Sequence, residues 1–109
     1  MKVLVDESLP IALALVPELS SYEVSTVRAQ RWLGLKNGVL LRAAVDAGFD
    51  TLLTADRALR HQQNLARIGI GVVLITGVRN RMADLRPLLP RITSALERVQ
   101  HGQLVEIAG

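Results

Sequence analysis

The chain has 109 residues, half of them apolar and only three aromatic (Tyr22, Trp32 and Phe49), with 13 Lys and Arg against 10 Asp and Glu. That composition excludes a disordered chain, which needs low hydrophobicity and high charge, and the length suits one core, so residues 1–109 read as a single domain. There is no Cys for a disulfide scaffold or a cysteine zinc site, and neither a signal-peptide pattern nor an apolar run of ~18 residues, so a cytoplasmic protein off the membrane is expected.

Lys2-Val3-Leu4-Val5 is short, apolar and β-branched, and it stops at Asp6-Glu7, which predicts a buried strand. Ser8 is placed to cap the next element, and Pro10 suits a first helical turn. Leu9, Leu13, Val16 and Leu19 then follow at helical spacing. Residues 22–27 read as a second strand, and residues 28–36, with Trp32 and Gly34, as a loop. Asn37 is a good N-cap for a helix whose inner face is Leu40, Leu41, Ala44 and Val45, and Gly48 stands where that helix should stop. Residues 51–54 form a third strand, ending in Ala55-Asp56. Residues 57–67 suit a helix with Leu59 and Leu65 inward. Val72-Val73-Leu74-Ile75, between Gly69 and Gly77, is the clearest buried strand. Met82, Leu85, Leu88, Leu89, Ile92, Leu96 and Val99 trace one long helical stripe, in which Pro87 and Pro90 predict a break or kink. Gly102 ends it, and residues 104–107 offer a last edge strand.

Apolar strands alternating with helices predict a three-layer α/β/α sandwich around a mostly parallel sheet of four to five strands. Ligands of such sheets lie beyond the carboxyl ends of the strands. The residues there are Asp6 and Glu7, Arg28, Thr54 and Asp56, and Thr76. Carboxylates gathered at one edge repel unless a cation sits among them, and hard oxygen ligands suit Mg²⁺ or Mn²⁺. Such an ion can activate water and neutralise the charge that develops on a phosphodiester. Each residue also has a plain local role: Asp6 as a turn residue, Asp56 as a helix cap, Thr54 and Thr76 as strand-end hydroxyls. His61 opens the polar run His61-Gln62-Gln63-Asn64, as a phosphate donor, a general acid or part of a solvated helix face. Trp32, in a loop with Arg28 and Arg31, can stack a base or simply pack. Residues 57–109 carry eight Arg and three acids, whereas residues 1–56 carry five basic side chains and seven acids. An Arg-rich half permits nucleic-acid binding without establishing it.

The VLVDESLP start, the GLKNG helix opening and the LLTADRALRHQQNL segment resemble the small PIN-like proteins of bacteria and archaea. These are trimmed relatives of the PIN-domain ribonucleases that act as toxins in toxin–antitoxin pairs, and the resemblance is clearest over residues 1–76. It implies a PIN-like fold in which acids hold Mg²⁺ or Mn²⁺ and single-stranded RNA is cut by metal-activated water. It makes Asp6 and Asp56 the catalytic, metal-holding acids, with Glu7 and Asn37 assisting and Thr54 and Thr76 in support. The acid that the family usually carries at the start of the helix before the third strand falls on Asn37, which has a carbonyl oxygen but no charge. A nearby position often held by Glu is Val39, and the acid from the middle of longer PIN domains has no counterpart. Arg28, Arg57, Arg60 and His61 are placed to meet the RNA backbone. Expected partners are RNA, a small antitoxin protein and a second copy of the chain, through the 82–99 helix or the Trp32 loop. The loss of an acid leaves a second reading open, a PIN-like module that binds RNA or a protein without cutting. A receiver domain of signalling would also place acids like Asp6-Glu7 and Asp56 and a hydroxyl like Thr76, but it needs a Lys after its fifth strand, and the only lysines are Lys2 and Lys36.

Overall fold

Each short apolar run forms a strand. β1 (Lys2–Val5), β2 (Glu23–Thr26), β3 (Thr51–Thr54), β4 (Gly71–Thr76) and β5 (Leu104–Ala108) build one sheet in the order β2-β1-β3-β4-β5. All four pairings are parallel, including that of β5 to β4. The computed structural model describes residues 1–62 and 64–109; Gln63, part of the polar run noted above, lies outside them.

The connections are more broken than the spacing of their apolar residues suggests. Leu9, Leu13, Val16 and Leu19 are all buried, yet no α-helix carries them: Leu13 and Leu19 sit in two 3₁₀ turns, Ile11–Leu15 and Pro17–Leu19, while Leu9 precedes the first and Val16 links the two. Proline is the cause. A residue before Pro avoids the α region, and Val16, ahead of Pro17, is extended at φ −68° and ψ 143°. Residues 57–67 likewise divide, into a 3₁₀ turn Arg57–His61 and the short helix α2 (Leu65–Ile68). α1 (Asn37–Asp46) is regular, but Asn37 is its first residue and Lys36 its cap, without a side-chain capping bond. The long stripe after β4 breaks at its prolines as predicted, into α3 (Met82–Leu85), a 3₁₀ turn Arg86–Leu88 and α4 (Leu89–Arg98). Pro90 falls in the first turn of α4, where its missing amide costs nothing.

Side chains alternate across strands. Val3, Val5, Leu53, Val73, Ile75 and Ile107 face one way, onto the two 3₁₀ turns after β1 and onto α3 and α4. Leu4, Leu52 and Val72 face the other way, onto α1, Leu59 and α2. The result is three layers. The chain passes from β2 to β3 and from β3 to β4 on the second face, but from β4 to β5 on the first. Because all three connections step along the sheet in the same direction, the last has the opposite hand to the two before it, a departure from the near-uniform hand of parallel crossovers. The strand order reverses between β1 and β3, and that reversal opens a crevice at their carboxyl ends. Among the described residues, no helix is long and apolar enough to cross a membrane.

Candidate functional site at the carboxyl ends of β1 and β3

Sheet geometry alone sets the centre of the site. Val5 pairs with Leu53, and the Asp6 amide extends the ladder to the Leu53 carbonyl at 2.9 Å. The next residues, Asp6 and Thr54, therefore lie side by side, and by alternation both point to the face that carries α1. Thr54 is fully buried and Asp6 is 7% exposed. The Thr54 hydroxyl donates to Asp6 Oδ2 at 2.8 Å, and the Ser8 hydroxyl donates to the same oxygen at 2.7 Å. Thr54 Oγ1 in turn accepts from the Asp56 amide at 3.0 Å, and Ser8 Oγ accepts from the Ala55 amide at 3.0 Å. Two hydroxyls thus bind the segment after β1 to the segment after β3. They satisfy one carboxylate oxygen of Asp6 and leave Oδ1 without a partner among the described residues.

Ser8 is the residue that the sequence reading misplaced. It caps nothing, since the cap of the following 3₁₀ turn is Pro10 without a side-chain bond. The signal that could have found it is its place two residues after Asp6, with a hydroxyl short enough to reach back across the turn. Asp56 keeps the local role weighed for it, because its Oδ1 accepts the Ala58 amide at 3.0 Å and caps the Arg57–His61 turn. Its other oxygen has no partner among the described residues. Glu7 is exposed, and its Oε1 accepts the Gly34 amide at 3.1 Å, which holds the 28–36 loop against the strand end.

Two clefts meet at Asp6 and Glu7. One, of about 270 Å³, lies over β1 and β3 and is lined by Asp6, Glu7, Ser8, Leu35, Lys36, Asn37, Leu40, Asp56 and Leu59. All four residues expected to hold a metal, Asp6, Glu7, Asn37 and Asp56, are therefore on its walls. The other, of about 310 Å³, lies over β1 and β2. Asn37 is exposed, and its φ of +51° is a left-handed position that Asn tolerates better than most residues.

The remaining expected residues are dispersed. Arg28 rims the β1–β2 cleft and not the β1–β3 cleft. Arg57 and His61 are exposed, and neither lines either cleft. Arg60 is exposed and paired: its Nε and Nη2 donate to the two oxygens of Glu106 at 2.7 and 2.8 Å. Thr76 does not support the acids either, since its hydroxyl donates to Glu106 Oε2 at 3.2 Å. The Arg60 hydrogen bonds hold the Glu106 carboxyl below the usual glutamate range; partial desolvation opposes them, and Thr76 and the positive charges of Arg60 and Arg57 assist. The same pairing raises the Arg60 pKa. Trp32 packs edge-on against Phe49, with ring centroids 6.2 Å apart, so it belongs to the core rather than to a stacking platform. The lysine of a receiver is missing where it would be needed, because Lys2 lies at the start of β1 and Lys36 precedes α1.

The donors on the β1–β3 cleft are all oxygens, which fits a hard divalent ion. Among the described residues, no three acid, His or Cys side chains gather closely enough to enclose one. Magnesium does not require that, since it keeps several waters and commonly takes one or two carboxylates together with substrate phosphates. The donor set fits an open, substrate-completed ion site and not a closed cage. Comparison with protein-family models, with curated proteins and with solved structures finds no match to this chain.

Proposed function

We propose that the chain is a metal-dependent ribonuclease of PIN type that cuts single-stranded RNA with a reduced set of acids. The observation that carries this reading is the convergence of Asp6, Glu7, Asn37 and Asp56 on one cleft at the strand-order reversal. Asp6 and Asp56 would hold Mg²⁺ or Mn²⁺ through their unpartnered oxygens, with Glu7 and the Asn37 carbonyl beside them. The ion would supply water activation and neutralise charge on the phosphate. The chain's own part is positional. Thr54 and Ser8 fix the Asp6 carboxylate, the Asp56 carboxylate is oriented by the Ala58 amide, and Lys36 on the cleft wall offers a cation to an RNA phosphate. In a toxin–antitoxin pair, a small antitoxin protein would cover these same clefts.

The test is cleavage of a mixed single-stranded RNA pool with Mn²⁺ or Mg²⁺, beside an Asp6→Asn, Asp56→Asn double variant purified identically. Cutting by the wild type alone, and a rise in melting temperature with Mn²⁺ that Asp6→Asn removes, are the expected results. Equal cutting by both proteins would mean a contaminant. The neutral amide of Asn37 on the cleft wall favours a second reading, a PIN-like module that binds RNA or a protein without cutting. A gel shift with no cleavage by either protein would select it.

A further inference from the structure

The cleft over β1 and β2 shares Asp6 and Glu7 with the β1–β3 cleft but lacks Asn37 and Asp56. Its walls are mixed: Asp6, Glu7, Thr26 and Arg28 are polar, Leu9 and Val27 are buried, and Ile11 and Leu33 stay 50% and 47% exposed. A flat apolar ring entering here would take water-exposed surface from both of the latter, which is favourable at roughly 25 cal/mol per Å². At about 310 Å³ the cleft lies at the small end of ligand pockets, so it holds one ring system and not a stack. Its polar groups have two signs. Arg28 is exposed and makes no ion pair among the described residues. Glu7 keeps Oε2 as an acceptor while Oε1 holds Gly34. Asp6 and Glu7 line both clefts, so the two are adjacent.

We infer that this second cleft receives one unstacked nucleobase of single-stranded RNA, the base adjoining the phosphate at Asp6 and Asp56, with Arg28 on the flanking phosphate. The inference rests on the RNA reading above and adds a base preference to it. Single-stranded RNA is recognised through splayed-out bases whose edges take hydrogen bonds, and a carboxylate accepts from an exocyclic amino group. Uracil offers a carboxylate only its ring N3–H, flanked by two carbonyl oxygens that the negative charge repels, so it binds here less tightly than adenine, cytosine or guanine.

The experiment titrates the ¹⁵N-labelled full chain in Ca²⁺, a hard ion for the same oxygens, with the trinucleotides AAA and UUU and with an abasic trinucleotide of the same backbone. AAA should shift the amides of Leu9, Ile11 and Leu33 and bind several-fold tighter than UUU, and the abasic chain should leave those amides unmoved. Leu33→Ser should weaken AAA several-fold by removing apolar surface from the slot, and Ile11→Ser should act in the same direction. Both side chains are half exposed, so the fold should tolerate the changes. Equal shifts from the abasic chain, or none at these amides from any trinucleotide, overturn the inference. Cleavage without base-dependent shifts would spare the nuclease and remove the slot. Base-dependent shifts in a chain that does not cut would keep the slot and remove the nuclease. Protection of the slot only by a copurified protein would assign it to that protein and overturn the inference too.

Discussion

One hydroxyl links the two acids of the site. Thr54 Oγ1 donates to Asp6 and accepts from the Asp56 amide, in full burial. Thr54→Val keeps the shape and removes both bonds, leaving a buried carboxylate oxygen with one partner fewer and an amide with none. An unsatisfied buried group costs about 1–3 kcal/mol, so urea unfolding should show a loss of that order, and Thr54→Ser should recover most of it. Asn37 invites the opposite experiment. Its left-handed backbone is open to Asp as well as Asn, so Asn37→Asp adds a charge to the cleft without disturbing the helix start. A unit charge 4 Å from a divalent ion is worth about 2 kcal/mol even in water, so Mn²⁺ should bind about thirtyfold tighter by calorimetry at low salt. An unchanged affinity would remove the ion from this cleft.

At the scale of elements, the Arg57–His61 turn is clasped to β5. Arg60 grips Glu106 with two bonds, and Thr76 at the end of β4 joins them. The Glu106 carboxyl titrates below its usual range, so the folded state holds this proton less firmly than the unfolded chain. The clasp therefore stabilises fully above the ordinary glutamate range and loses its effect as pH falls through the lowered value. Both side chains are partly exposed, so added salt should weaken it as well. Chemical unfolding of wild type and Glu106→Gln should differ at pH 7 and converge at acid pH; a constant difference would assign the effect to packing instead. This clasp could not be read from the sequence, because its partners lie on separate elements and their pairing depends on the β4–β5 register. The strands were legible, since runs of four to six residues rich in apolar or β-branched side chains between turn residues have few alternatives. So was the break at Pro87 and Pro90. The 3₁₀ turns were not, because Leu9, Leu13, Val16 and Leu19 meet the core at intervals that either helix type can serve. Asp6 and Asp56 were legible from their strand ends. Ser8 was not, because its partners become neighbours only when β1 and β3 pair.

Over the whole molecule, positive charge is carried chiefly by arginine, with a formal net charge of +3. Each phosphate that an arginine neutralises on single-stranded RNA adds about −0.7 to the slope of log affinity against log salt. Arg28→Ala should therefore flatten that slope by about 0.7 in anisotropy titrations with short RNA. Arg60→Ala should leave it unchanged, because Glu106 already occupies that guanidinium. The oppositely handed step from β4 to β5 has a consequence for how the chain is made. β4 is Gly-Val-Val-Leu-Ile-Thr, buried along its whole length, and β5 covers its outer edge. During synthesis β4 emerges well before β5, and until β5 has crossed the opposite face and docked, an apolar edge rich in β-branched residues stays open to any other strand. A pause in translation between residues 77 and 103 would therefore expose neighbouring nascent chains to one another at this edge, which β5 covers once it docks.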